Sequence, residues 1–370
     1  MSEYQYYEWQ TVDHLLTDAE QAAVGSLSSH IDVSASQAVV TYDWGDFKHN
    51  PEEVLAKYFD AFLYFANWGT RVLMFRFPRG LLDEQALAPY LVDELISLST
   101  AGKSQILEFT FELEPEWEWV EDEDSSLSRL VSLRNDVLAG DYRCLYLGWL
   151  KALTLQDLDV QTHWEEPPVP PGLNKLVPAL DQLAAFLDLD QHLITSAAAA
   201  SPAKATTTSD AALRKAIGKL SRAESDEFLY RLLQGEPGLN FALRHRLRAE
   251  LRGSDQPPGG GRTAAELLTG AKRAKRQDAE RKAGEAEKNR IAALEKLAKT
   301  EDKAWQTVEA QLADRHWTYQ AKAVEQLRQL RDLADYRHTR TDLNRKMRKL
   351  RTKHQGRPSI LRRFDQAELP

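Results

Sequence analysis

Gln105-Ile106-Leu107-Glu108-Phe109-Thr110-Phe111-Glu112-Leu113 is the stretch on which the fold of this chain turns. Leu107, Phe109 and Phe111 alternate with Ile106, Glu108, Thr110 and Glu112, the period of two expected of a strand. Arg71 to Phe77 sets Val72 and Met74 against Leu73, Phe75 and Phe77, a strand apolar on both sides. Further upstream, Tyr4, Tyr6 and Val12 frame an aromatic-rich strand, and Ser36 to Trp44, with Val39, Val40 and Tyr42, reads as another. Helix signals fall between them. Thr17-Asp18-Ala19-Glu20 has the form of a capping box, opening a helix to about Ser28. Asn50-Pro51-Glu52-Glu53 starts a second, whose Val54, Leu55, Tyr58, Phe59, Phe62 and Phe65 form an apolar face. That helix is expected to end at Trp68-Gly69, with Gly69 as a left-handed cap. The whole predicts an α+β N-terminal domain, a sheet covered by helices, over residues 1–125.

The rest of the chain reads as helical. Residues 126–196 form a helical extension in which Cys144 to Leu150 makes a core helix, interrupted by a stiff connector at Glu165-Glu166-Pro167-Pro168-Val169-Pro170-Pro171-Gly172. Residues 197–209, rich in Ala, Ser and Thr, form a linker. A small helical unit follows at 210–252, then a Pro/Gly linker at 253–262. Residues 263–370 predict a long helical arm and a basic helical bundle. At 1.5 Å per residue a single helix from Thr263 to Lys299 spans about 55 Å, with Gly284 its weak point. Residues 272–290 carry eight basic and four acidic groups with Ala almost the only apolar type, so this portion buries no broad face. Leu294, Leu297, Trp305, Val308, Leu312, Trp317, Tyr319, Val324, Leu327, Leu330 and Leu333 recur at helical spacing, the pattern of a hairpin or small bundle.

Charge is divided sharply along the 370 residues. Residues 1–200 hold 33 Asp and Glu against 11 Lys and Arg, whereas 201–370 hold 23 against 37, and the net of −8 conceals both. Opposite fields on two halves imply mutual attraction or different partners. The one cysteine, Cys144, excludes an internal disulfide and a Cys-rich zinc site, and fits a reducing, cytoplasmic compartment. The N-terminus shows no secretory signal. No run reaches the roughly 18 apolar residues of a membrane span; Ala61 to Phe77 is broken by Asn67, Arg71 and Arg76.

Catalytic signatures are sparse. Ala101-Gly102-Lys103-Ser104 ends like a phosphate-binding loop, but Ser97 stands where the motif needs its first Gly, and a strand follows where it needs a helix. The nine histidines include no His-Glu-x-x-His, so neither a metal nor another cofactor is expected. Asp43 and Asp46, ending one strand, and Arg71 and Arg76, on another, could converge as an acid–base site; strand-end acids paired with surface arginines are commoner. Two segments point to binding instead. Trp117, Trp119, Glu121, Asp122, Glu123 and Asp124 belong to an acidic loop that could dock a basic surface by its tryptophans. From Arg337 to Arg363 eleven Lys and Arg face a single acid, Asp342. With Leu343, Met347 and Leu350 on one side of a helix, Arg345, Lys346, Arg348, Lys349, Arg351 and Lys353 cover the remainder, and Arg362 and Arg363 follow. Such a helix suits an acidic protein, an anionic membrane surface or nucleic-acid phosphates. The segment itself has few aromatics, so nucleic-acid binding by it would be sequence-tolerant. The alternative is that these cations are matched within the chain.

Ser2-Glu3-Tyr4-Gln5-Tyr6-Tyr7-Glu8, Tyr42-Asp43-Trp44-Gly45-Asp46-Phe47-Lys48 and Tyr58 to Arg71, which reads Tyr-Phe-Asp-Ala-Phe-Leu-Tyr-Phe-Ala-Asn-Trp-Gly-Thr-Arg, resemble a family of uncharacterised bacterial proteins over the first third of the chain. The resemblance implies no activity. His354 to Leu369, with Arg357-Pro358 and Leu361-Arg362-Arg363, is similar to the tails of other bacterial proteins, some with a Cys/His zinc finger that a lone cysteine cannot make. The reading is a non-enzymatic binding or scaffold protein with an acidic N-terminal module and a basic helical arm for an anionic partner. A sequence-tolerant nucleic-acid-binding protein is the alternative, and an enzyme using Asp43, Asp46 and Arg71 the second.

Overall fold

The computed structural model describes residues 3–114, 127–156, 164–203, 210–235, 238–251, 261–314 and 316–370. The chain divides into two compact units, Met1–Lys275 and Arg276–Pro370.

The first unit is built on one seven-stranded sheet in the order β2-β3-β1-β4-β5-β7-β6. Its strands are β1 (Gln5–Gln10), β2 (Asp32–Val33), β3 (Gln37–Tyr42), β4 (Ala61–Ala66), β5 (Thr70–Pro78), β6 (Ile96–Ala101) and β7 (Ser104–Glu112). All neighbours are antiparallel. Alternation sorts the side chains between two cores. Tyr7, Trp9, Val40, Phe62, Met74 and Ile106 join a cluster closed by Val24 of α1 (Asp18–Gly25) and by Val54 and Leu55 of α2 (Pro51–Tyr58). Leu63, Leu73, Phe75, Phe77, Phe109 and Phe111 face the other way. There they meet Leu87 of α3 (Glu84–Leu87) and the apolar sides of α4 (Ser132–Leu138), α5 (Arg143–Thr154), α6 (Pro178–Phe186) and α7 (Gln191–Ala198). Helices thus cover both faces of the sheet, the α+β arrangement expected. Cys144 lies in α5, 1% exposed.

One element differs from its sequence reading. The helix begun at Asn50 stops at Tyr58, because Phe59 is already extended at φ −127° and ψ 174°. Residues 61–66 are β4, in the middle of the sheet between β1 and β5. A central strand buried on both faces shows a continuous apolar run, which carries no period to separate it from a helix. Gly69 therefore caps no helix: at φ +111° it closes the β4–β5 hairpin, with its N–H donating to the Ala66 carbonyl at 3.0 Å. The phosphate-loop look-alike is another hairpin, Gly102 at φ +61° turning β6 into β7 with Ala101 opposite Ser104.

The proline-rich connector is built into the unit, with Glu166, Pro167, Val169 and Pro170 all buried. Three short helices follow, α8 (Asp210–Ile217), α9 (Arg222–Leu233) and α10 (Leu239–Leu251), then α11 (Ala264–Ala298). The start of α11 is fixed in three ways. Thr263 and Glu266 form a reciprocal cap at 2.8 and 3.3 Å. Ala264 and Leu267 enter the core. Arg262 holds both oxygens of the buried Glu166 at 2.8 and 2.7 Å, while the Tyr146 hydroxyl donates to the same carboxylate. Most of the two linker segments, 204–209 and 252–260, lies outside the described residues.

The second unit begins inside α11, where an almost wholly exposed stretch is laced by Arg276–Glu280, Lys282–Asp278, Arg281–Glu285 and Arg290–Glu287 pairs at 2.7–3.0 Å. Such solvated pairs each add little to the helix. Helix continues unbroken through Gly284, around which nothing lies within 4 Å. Gly284→Ala should therefore stabilise α11 by about 1 kcal/mol. Slower amide exchange around residue 284 is the expected result, and unchanged exchange would count against it.

Beyond α11 come α12 (Glu301–Ala313), α13 (Trp317–Tyr336), α14 (Arg340–Lys353) and α15 (Pro358–Gln366). Leu294, Val308, Leu312, Leu327, Leu330, Leu343, Met347, Leu350, Ile360 and Phe364 make one core, the bundle that helical spacing predicts. Trp317 and Tyr319 depart from that pattern. They stand in the first turn of α13, before its first buried residue, and are 63% and 47% exposed.

Candidate anion-binding surface

Helix α14 carries the basic run. Leu343, Met347 and Leu350 are buried in the bundle core as their spacing requires, and the flanks of the helix meet neighbouring elements. On one flank Lys346 reaches Glu301 at 3.3 Å and lies 4.9 Å from the Trp305 ring centre, while Lys353 reaches Glu309 at 2.7 Å. On another, Arg351 binds Asp365 at 2.8 Å and donates to the carbonyls of Leu369 and Pro370. Arg345 pairs with Asp342 of its own helix. Four of the eight basic residues singled out from sequence are thus matched by carboxylates, all of them in the second unit.

Arg348, Lys349, Arg362 and Arg363 are the other four. Among the described residues none has a carboxylate within ion-pairing distance. Arg348 and Lys349 are exposed on the side of α14 away from Leu343, Met347 and Leu350. On α15, Arg362 is exposed and Arg363 half-buried. The second unit holds 23 Lys and Arg against 15 Asp and Glu, so an excess of positive charge survives the internal pairing. The pairs themselves are largely solvated and contribute about 0–1 kcal/mol each, so an incoming anion can displace a carboxylate at small cost. Beside Lys346, a cleft lined by Glu301, Trp305, Thr339, Asp342 and Leu343 holds about 20 Å³, room for one water and no larger ligand.

The acid–base cluster considered from sequence does not assemble. β1 and β4 separate β3 from β5. Asp46 accepts the Tyr7 hydroxyl at 2.8 Å on the α1–α2 side, where burial and this carboxylate push the Tyr7 phenol far above its ordinary value. Arg71 points to the opposite core, donating to the Phe186 carbonyl and lying over its ring. Asp43 is exposed, and Arg76 binds Asp60 and the Phe59 carbonyl. The acidic loop residues Trp117, Trp119, Glu121, Asp122, Glu123 and Asp124 lie outside the described residues.

Two buried polar groups went unread in the sequence. Asp60, fully buried, takes N–H bonds from Val12 and Asp13 at 2.7 and 2.9 Å, pairs with Arg76, and stands 3.7 Å from Arg134. Burial pushes its carboxyl upward, but Arg134, Arg76 and the two N–H groups outweigh that and hold it below the usual range. Arg134 in turn grips Asp13 with two nitrogens at 3.0 and 2.6 Å. Glu8, also buried, accepts from Gln37 at 2.6 Å, the Leu127 N–H at 2.9 Å and the Tyr6 hydroxyl at 3.0 Å. A carboxylate within an apolar run, as in Tyr58-Phe59-Asp60-Ala61-Phe62, was the available signal. These groups are satisfied internally and serve the fold. Among the described residues no helix is long and apolar enough to cross a membrane. Comparison of the chain with protein-family models, with curated proteins and with solved structures yields no match.

Proposed function

We propose that this is a non-enzymatic binding protein of the cytoplasm, in which the C-terminal helical unit engages an anionic or acidic partner. The observation that carries the reading is the set Arg348, Lys349, Arg362 and Arg363, left without carboxylate partners among the described residues while Arg345, Lys346, Arg351 and Lys353 of α14 are matched. Displacing counter-ions from a polyanion with four cations makes affinity fall about 100-fold between 50 and 200 mM salt. The acidic sheet domain would then serve as a scaffold or a second docking module.

The test is a titration of the full chain with fluorescent heparin at both salt concentrations, beside a variant carrying Arg348→Glu, Lys349→Glu, Arg362→Glu and Arg363→Glu. The intact protein should bind at 50 mM with the steep salt dependence above, and the variant should lose binding without loss of helical content. Absence of binding by the intact chain at 50 mM would sink the proposal. So would a folded variant that binds equally well.

A further inference from the structure

We infer that the anionic partner of the helical unit is single-stranded nucleic acid, whose bases stack on Trp317 and Tyr319 at one end of the bundle while nearby cations hold its backbone. This rests on the anion-binding reading above and narrows it. Folding brings the aromatic and basic residues together from separate segments. Lys346 meets Glu301 and Lys353 meets Glu309, so α14 runs parallel to α12 and both end at the same end of the bundle. Arg357, just past α14, donates to the carbonyls of Leu312 and Asp314, the residues that lead from α12 to α13. Trp317 and Tyr319 open α13 at this end.

Two large rings stand in water within one helical turn, as Trp44 does singly elsewhere in the chain. Trp317 is 63% and Tyr319 47% exposed. His316 bridges them, stacked on Trp317 at 6.5 Å and edge-on to Tyr319 at 6.3 Å. Lys322 lies 5.9 Å from the Tyr319 ring centre, and Arg357 donates to the backbone carbonyls of Leu312 and Asp314 with no carboxylate paired to it among the described residues, while the Asp314 carboxylate accepts the His316 N–H at 2.8 Å. Burial first, then Arg357 and Lys353 against an opposing Glu309, push the His354 imidazole below its ordinary value, and its Nε2 has no hydrogen-bond partner among the described residues. Aromatic planes beside a positive surface are what sequence-tolerant single-strand binders use, since every base has a face to stack. Duplex nucleic acid, its bases already stacked, could use only the charge. An acidic peptide would need the charge but not two exposed rings.

The experiment is fluorescence anisotropy of the full chain at 50 mM salt with a labelled 20-mer of thymidylate, a 20-base-pair duplex and poly-glutamate. The single strand should bind more tightly than the duplex or the peptide. Trp317→Ala and Tyr319→Ala should each weaken single-strand binding about 5- to 150-fold, with the salt dependence and duplex affinity unchanged. Trp317→Phe and Tyr319→Phe should restore most of it. Both positions are exposed, so the variants should keep the melting temperature of the parent chain. If the alanine variants bind the single strand as the parent does, or if the duplex or the peptide binds more tightly, the inference is overturned while the anion-binding reading stands. If no polyanion binds, that reading fails and the inference with it.

Discussion

Arg134→Ala is expected to destabilise the N-terminal unit by about 3–5 kcal/mol, the cost of leaving a buried carboxylate uncompensated. Arg134 is the hub of its group, grasping Asp13 with two nitrogens and standing 3.7 Å from Asp60, which is itself fully buried. Alanine would leave Asp60 with Arg76 and two N–H groups and strand part of its charge in an apolar setting. Hydrogen exchange followed by mass spectrometry should show protection falling across Ala61–Ala66 and Thr70–Pro78 while Trp317–Tyr336 keeps its own, because the two units have separate cores. The same change should alter the acid response. Asp60 is held below its unfolded value, so its contribution is complete above about pH 4 and is lost as pH falls through the folded value. In Arg134→Ala the folded value rises toward or beyond the unfolded one, and the unit should lose less additional stability between about pH 4 and pH 2 than the parent. An unchanged acid limb, or a loss under about 1 kcal/mol, would show that the group contributes little.

Gly69→Ala should cost about 2–4 kcal/mol, large for the addition of one methyl group. At φ +111° an L side chain is strained, and a Cβ would stand 2.0 Å from the Leu113 carbonyl oxygen, which a backbone atom cannot yield without moving β7. The Leu113 N–H is meanwhile bound to the Gly69 carbonyl at 3.0 Å, so relief by shifting would break that bond. Urea denaturation followed by the near-ultraviolet signal of the aromatic-rich sheet would measure the loss. A variant as stable as the parent would mean that the hairpin is not held as described.

What could be read in advance follows from how local each signal is. The cap at Thr17 and Glu20 and the start at Asn50-Pro51 were legible because their donors and acceptors lie within three residues. β5 and β7 were legible by alternation. β4 was not, since burial on both faces erases the period, and β6 was overlooked because Ser97, Ser99 and Thr100 dilute its apolar content. The basic helix and its buried seam were plain, but the fate of its charges was not. Lys346 and Lys353 find their carboxylates 45 and 44 residues away, a distance that no reading of the run itself can bridge. Trp317 and Tyr319 continue an apolar spacing and so pass for core, and only the bundle shows that they fall ahead of its first buried layer.

Cys144 has a practical corollary. Burial drives its thiol well above the ordinary range, so almost none of it is the thiolate that alkylating reagents consume. With no other cysteine in the sequence, the native chain should react only slowly with maleimides. A cysteine introduced on the outer side of α14 would then be the one labelled position, and a dye or spin probe could be placed beside the basic surface without first rebuilding α5.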